Sequence, residues 1–154
     1  MFREMRRFKQ QMTDEEAQAV LERRTDGVLG VIGDDGYPYT VPVNYIYEDG
    51  KLLFHCARAG HKLDAIRENP KVSFCVIDEN MLDRKNFATY YSSVICFGHA
   101  RVLEDDEERI EACRRFCTKM YPYADAVEAE IAKHPNAFYM VEIQIDHMTG
   151  KHKP

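Results

Sequence analysis

Tryptophan is absent from the sequence, as are a Cys-x-x-Cys pair and any excess of positive charge. No apolar run approaches the ~20 residues that a membrane span needs, so no membrane insertion is expected. The formal charge of −5 and the pI near 5.7 exclude the basic face of a dedicated nucleic-acid binder. The opening MFREMRRFKQQM is basic, but it lacks the apolar stretch and small-residue cleavage site of a secretory signal. Arg3, Arg6, Arg7 and Lys9 therefore read as a docking arm, and the cytoplasm is the expected location. Repeats, low-complexity tracts and linkers are missing as well. A single domain over residues 1–154 follows, with an N-terminal arm at 1–12 and a polar tail at 148–154.

What is present suits a globular chain with a real core: 45% apolar residues, 31% charged, nine Tyr and eight Phe. Tyrosines pack their rings and keep a polar tip, which suits interfaces and planar ligands. The five cysteines are odd in number. Cys56, Cys75 and Cys96 sit in strand-like runs, and Cys113 and Cys117 lie four apart on one helix face. All five read as reduced thiols packed like small apolar residues.

Turn chemistry punctuates the chain. Thr13-Asp14-Glu15-Glu16 has the form of a capping box, and Ala17, Val20 and Leu21 give a short helical stripe. GVLGVI, then the turn GDDGYP, then YTVPVNYIY read as two strands. Val41, Val43, Tyr45 and Tyr47 alternate there with Thr40, Pro42, Asn44 and Ile46. EDGK is a second hairpin turn, and LLFHCA a third strand. HKLDAIREN is a short helix with Leu63 and Ile66 inward, stopped by Pro70. KVSFCVID is a fourth strand, MLDRKNFATYY irregular, and SSVICFGHARVLE a fifth strand with Gly98 at a bulge or bend. DEERIEACRRFCTKMY is a helix with acids first and bases last, its buried stripe set at Ile110, Cys113, Cys117 and Met120 beside Phe116. ADAVEAEIAKH is another helix, AFYMVEIQID a sixth strand. The pattern predicts a mostly β fold with peripheral α: six antiparallel strands curled into a barrel, with helices over its ends.

FHCARAGHKLD, residues 54–64, concentrates the chemistry. Gly60-His61-Lys62 lies where a loop feeds a helix, whose first amides lack internal partners and favour negative charge, so it can cradle a phosphate. The competing reading is a solvated loop with an ordinary helix start. His55, Cys56 and His61 are competent metal ligands, but neighbours on a strand face opposite ways, which disfavours both a metal and a Cys–His nucleophile.

The motifs GDDGYPYTVPVNY, LLFHCARAGHKLDAIRENPKVSF and YYSSVICFGHARVLED, in this order across residues 27 to about 105, resemble the FMN-binding split-barrel proteins related to pyridoxamine 5′-phosphate oxidase. Within them the chain is most similar to the nitroimidazole-resistance (Nim) group. The resemblance implies a split β-barrel, a homodimer, and FMN in a groove at the subunit interface. His61 and Lys62 would hold its phosphate. Val43, Asn44 and Tyr45 would meet the flavin ring edges through their backbone, and His55, Cys56 and Ala57 would add to the same wall. Tyr91, Ser92, Ser93 and Val94 would line the groove from the partner subunit. His55 would be the catalytic group nearest the substrate. FAD is the alternative flavin and haem, ligated by His61, His99 or His147, ranks below both. The implied activity is flavin-dependent reduction of a small organic acceptor such as a nitroaromatic, with NAD(P)H as donor. A non-catalytic flavin binder and a haem-binding split barrel are the alternatives.

Overall fold

In the computed structural model, which describes all of residues 1–154, the hairpin signals are realised first. Asp26–Ile32 (β1) pairs antiparallel with Pro38–Asn44 (β2), Gly27 opposite Val43 and Ile32 opposite Pro38. Ile46–Glu48 (β3) and Lys51–Ala57 (β4) meet across Asp49 and Gly50, at φ 48° and 77°. Two positive-φ residues make the tight turn whose twist matches that of the strands. Asp14–Arg23 (α1) opens on the capping box: Glu16 N donates to Thr13 Oγ1 at 3.2 Å, and Thr13 N to Glu16 Oε2 at 2.8 Å. His61–Glu68 (α2) follows β4. Two long strands, Lys71–Asp83 (β5) and Ala88–Leu103 (β6), are followed by helices Asp106–Met120 (α3) and Ala124–Lys133 (α4) and a last strand, Phe138–Lys153 (β7). No helix is long and apolar enough to cross a membrane.

The strands number seven, not the expected six, and form one antiparallel sheet in the order β2-β1-β5-β6-β7-β4-β3. The difference lies in YTVPVNYIY. The run breaks at Tyr45, and its two halves pair with different partners, β2 with β1 and β3 with β4. Consecutive strands thus occupy opposite edges of the sheet, and the sheet stays open between them. Pro42 in the middle of β2 suits this placement, since a proline is tolerated where its missing N–H faces outward from an edge.

Two further expectations are corrected. MLDRKNFATYY is not irregular: Met81–Asp83 ends β5, Ala88 begins β6, and Leu82 pairs with Thr89. Asp83 closes that turn by accepting from the amides of Lys85 and Asn86 at 3.1 and 3.0 Å. The polar residues from Met148 to Lys153 are not a tail but the continuation of β7, Met148 opposite Cys96 and Lys153 opposite Tyr91. In both places neither face is deeply buried, so the sequence shows no apolar alternation to read. The N-terminal arm docks on this same strand: Gln11 bridges Lys151, and Met12 N donates to Gly150 O at 2.9 Å. Gly98 does sit at a register shift, between β6 and β7, and a Cβ there would lie 2.2 Å from the Gln144 carbonyl oxygen.

The main core fills the curled sheet beneath α1 and α2, with Leu29, Tyr45, Phe54, Leu63, Phe74 and Val76 among its members. A second, smaller core lies outside the sheet, where α3 and α4 cover β4, β7 and β3 through Leu53, Phe116, Ile131 and Met140. The most buried residues of α3 are Arg109, Ala112, Cys113 and Phe116, so the helix is rotated relative to the expected stripe, and Ile110, Cys117 and Met120 lie at its margin.

Tyr45 anchors the strand break. Its ring is fully buried, edge-on to Phe74 at 5.1 Å, and its hydroxyl donates to the Leu21 carbonyl at 2.9 Å. Tyr45→Phe removes this bond and leaves a buried carbonyl short of a donor, so unfolding free energy should fall by about 1 kcal/mol. Urea titration checks this. An unchanged midpoint would show that the hydroxyl does not anchor the bend.

Candidate functional site

The break at Tyr45 leaves a cleft between β2 and β4. Strand alternation says which backbone groups face it. Tyr45 N donates to Thr25 O, and Gly33 N donates to Tyr37 O, so the odd-numbered residues of β2 turn their polar groups toward β1. Those of Thr40, Pro42 and Asn44 therefore point outward. Ile145 N donates to Gly50 O in the same register that runs through β4, so the even-numbered residues there face β7. His55 and Ala57 turn the other way, and β3 covers β4 only as far as Leu53. The cleft is thus edged by unpaired main-chain groups of Asn44 on one side and of His55 and Ala57 on the other. Val43, Tyr45 and Cys56 direct theirs into the sheet.

Side chains complete the site. A cavity of about 330 Å³ is lined by Asp26, Pro42, Val43, Asn44, His55 and Lys62. It joins four of the residues named from the sequence. Asp26 and Pro42 were missed there, and their only signal was the register against Asn44 and Val28. The Asn44 side-chain amide donates to Thr25 O at 3.1 Å, which leaves its oxygen free to accept. Tyr45 is buried in the core and contributes no side chain here.

At one end of the cleft α2 begins. Gly60 stands before it at φ 142°, a backbone conformation in which a side chain would be strained, and no side chain caps the helix. The amides of His61 and Lys62 consequently have no intrahelical partner. Lys62 is half-buried and makes no ion pair within 4.0 Å, whereas Arg67 on the same helix pairs with Glu104. A partly buried cation beside free helix amides makes this end of the cleft positive and suited to an anion. The His61 ring is already engaged. It lies against Tyr39 at 4.2 Å, and its Nε2 accepts from the Asp34 amide at 3.4 Å, so the imidazole is held away from the cavity that Lys62 lines. Arg58 ties the preceding loop down by donating to Asn136 O at 3.1 Å and to the Tyr139 hydroxyl at 3.0 Å.

His55 and Cys56 point to opposite faces. Cys56 is buried in the main core, and burial pushes its thiol upward, against the pull of Lys62 and Arg67. It is a protonated core thiol, poorly suited as a nucleophile or a ligand. His55 is exposed on the outer face with its ring 5.2 Å from that of Phe116. Partial burial, and then the Lys62 charge, lower its pKa below the ordinary 6.5. The imidazole is therefore neutral at pH 7 and can both donate and accept.

The remaining sequence-named residues lie elsewhere on this chain. Tyr91 donates to Gln10 Oε1 at 2.9 Å, Ser92 to Asp78 Oδ2 at 3.2 Å, and Val94 is in the core. Ser93 sits on the outer face opposite Ile77 and Lys151. All four belong to β6, at the centre of the sheet, and do not line the cleft of their own chain. His99 pairs with Asp146, and His147 stacks on Phe2 at 4.6 Å. His99, Asp146 and Phe2 line a separate, largely apolar cavity of about 830 Å³ under the N-terminal arm.

A sequence profile described as "Pyridoxamine 5′-phosphate oxidase" matches residues 13–152. A search of curated proteins finds no match. Among solved structures the chain is similar to a candidate 5-nitroimidazole antibiotic resistance protein from Bacteroides thetaiotaomicron, with TM-score 0.73, 21% identity, and 92% of this chain and 86% of that one covered. An FAD-binding protein from Mesorhizobium loti matches with TM-score 0.72 at 25% identity, covering 94% of this chain and 97% of the other. The flavocytochrome Anf3 from Azotobacter vinelandii reaches a TM-score of 0.80 at 20% identity, over 98% of this chain and 72% of that one. At such identities the first and third likenesses speak to the fold.

The Lys62 charge is one of two causes of the lowered His55 pKa, so the two can be separated. By NMR titration His55 should show a midpoint below 6.5 in the wild type and a higher one in Lys62→Ala. The sign follows from removing a cation that opposes imidazole protonation. A midpoint that does not move would place Lys62 farther from the ring than the cleft requires.

Proposed function

The chain belongs to the pyridoxamine 5′-phosphate oxidase family, and from that premise we propose that it is a flavin-dependent oxidoreductase with its cofactor in the β2–β4 cleft. The observation that carries this reading is the pairing of two unpaired strand edges with an uncompensated Lys62 at the cleft's end. A flavin has a planar ring whose rim alternates hydrogen-bond donors and acceptors, and a phosphate at the end of a flexible arm. Strand edges suit the first and a helix start the second.

In this reading the main-chain groups of Asn44, His55 and Ala57 orient the ring, and Lys62 with the amides of His61 and Lys62 binds the phosphate. One anion-binding point favours FMN over FAD. When bound, the flavin supplies hydride and electron transfer, and the protein supplies orientation and exclusion of water. His55, neutral at pH 7, stands at the cleft's outer rim, where it can hold or hand on a proton at the acceptor. The acceptor proposed is a small oxidised organic molecule such as a nitroaromatic, with NAD(P)H as donor. The fold shared with the Bacteroides protein supports that choice of class.

The cleft of one chain, about 330 Å³, is at the lower end of what a bound small molecule fills. A second copy of the chain would supply the missing wall. The outer sheet face supports this, since Ile32, Ile77, Ile95 and Phe97 are exposed there beside Ser93. In a homodimer through this face Ser93 of one protomer would stand toward the cleft of its partner, while Val94 stays in its own core.

The test is the visible spectrum of the purified protein before and after incubation with FMN and desalting, with sedimentation velocity on the same sample. Flavin bands on a dimer are expected. Lys62→Ala should weaken FMN binding about tenfold or more, at least ~1.4 kcal/mol, with the fold intact. A haem band, a colourless protein, or wild-type FMN affinity in Lys62→Ala would overturn the assignment. Flavin retained on a monomer would overturn the dimer alone.

A further inference from the structure

The cleft has one neighbour that neither strand supplies. Outward-facing residues of β4 meet α3, and where Leu53 ends the second core, His55 begins the rim of the cleft. Phe116 spans the two. It is 2% exposed, belongs to the core with Leu53 and Met140, and its ring stands 5.2 Å from that of His55, tilted by 59°. Alternation fixes the direction in which His55 leaves the strand, but its ring orientation needs a second contact. No hydrogen bond from another side chain holds the imidazole, so the Phe116 ring is that contact.

We infer that Phe116 is a positioning residue for His55, and that α3 thereby acts on the chemistry of the cleft through this single ring. The role rests on the reading of His55 given above.

The surroundings make α3 a firm mount. Lys119 donates to the Tyr47 carbonyl, and Arg115 pairs with Glu48 at 2.9 Å, both on β3. At the other end of the helix Arg109 is 1% exposed and binds the carbonyls of Pro135 and Phe138, which ties α3 to the start of β7, the strand paired with β4. The charged groups near His55 come from other elements: Lys62 from α2 and Asp26 from β1, which share its cavity. The Phe116 ring covers one side of an otherwise exposed imidazole, and partial burial is the larger cause of its lowered pKa, ahead of Lys62. In this proposal Phe116 and Lys62 act on one imidazole by separate means, Phe116 through packing and Lys62 through charge.

The experiment compares wild type, Phe116→Ala and Phe116→Leu, each alone and combined with His55→Gln. The first readout is the NMR titration of His55, which needs no flavin. We expect the midpoint to rise in Phe116→Ala and to stay low in Phe116→Leu, which keeps the apolar shield and guards against misfolding. The second readout is NADPH-driven reduction of a 5-nitroimidazole by FMN-loaded protein. Phe116→Ala should lose roughly tenfold to a hundredfold in turnover, with its pH profile moved in step with the titration, and should lose nothing further on the His55→Gln background. An unmoved midpoint in folded Phe116→Ala, or an equal loss of turnover with and without His55, would make Phe116 a packing residue only. If the wild type fails to hold FMN, the functional reading falls, while the titration still decides whether Phe116 sets the state of His55.

Discussion

The structure depends on one residue that changes partners in mid-run. Tyr45 lies between the end of one strand and the start of the next, and its buried ring with its hydroxyl bonded to Leu21 holds the chain where it leaves β1 for β4. A strand that continued straight would keep pairing along one neighbour. By crossing from one edge of the sheet to the other, the chain brings both edges together without joining them by hydrogen bonds. The sheet curls around a core, but a seam stays open. Unpaired backbone is costly to leave dry, so a seam of this kind is either wetted or filled by something with matching donors and acceptors.

Everything that makes the cleft chemically distinctive follows from where that seam falls. β4 emerges from β3's cover at Leu53, so His55 and Ala57 are the first residues with free edges. The chain then turns at Gly60 and begins α2, whose Lys62 lines the cleft together with Asn44 and His55. Several of the molecule's other cations are neutralised locally, as Arg23 is by Asp78 and Arg101 by Glu108 and Glu142. Such exposed pairs contribute little stability each. Lys62 makes no such pair and stands half-buried at the end of the cleft.

Two cores serve two ends. The main core stabilises the curled sheet, and the smaller one outside it binds α3 and α4 to the strand that carries His55. Arg109 links these parts from within, donating to two carbonyls and to Asp106, with its guanidinium 4.9 Å above the ring of Phe138. A buried arginine reads in sequence as one more surface charge of an acidic helix face. This is why the rotation of α3, and with it the contact between Phe116 and His55, could not be read from the stripe of Ile110, Cys113, Cys117 and Met120.

Local chemistry determined much of this protein without help from the fold. Turn residues at Asp35-Gly36 and Asp49-Gly50, the capping box at Thr13 and the helix start at Gly60 all act over a few residues, so they are visible in the sequence and present in the structure. So are the opposite facings of His55 and Cys56, which strand alternation alone dictates. Tertiary structure decided the rest, because the rest concerns partners distant in the chain. It split YTVPVNYIY between two edges and extended β5, β6 and β7 through polar residues by pairing them with one another. It turned the His61 ring onto Tyr39 and set Asp26 and Phe116 beside the cleft. A single strand has a period but no partner, and only pairing and packing decide which of its edges is left open.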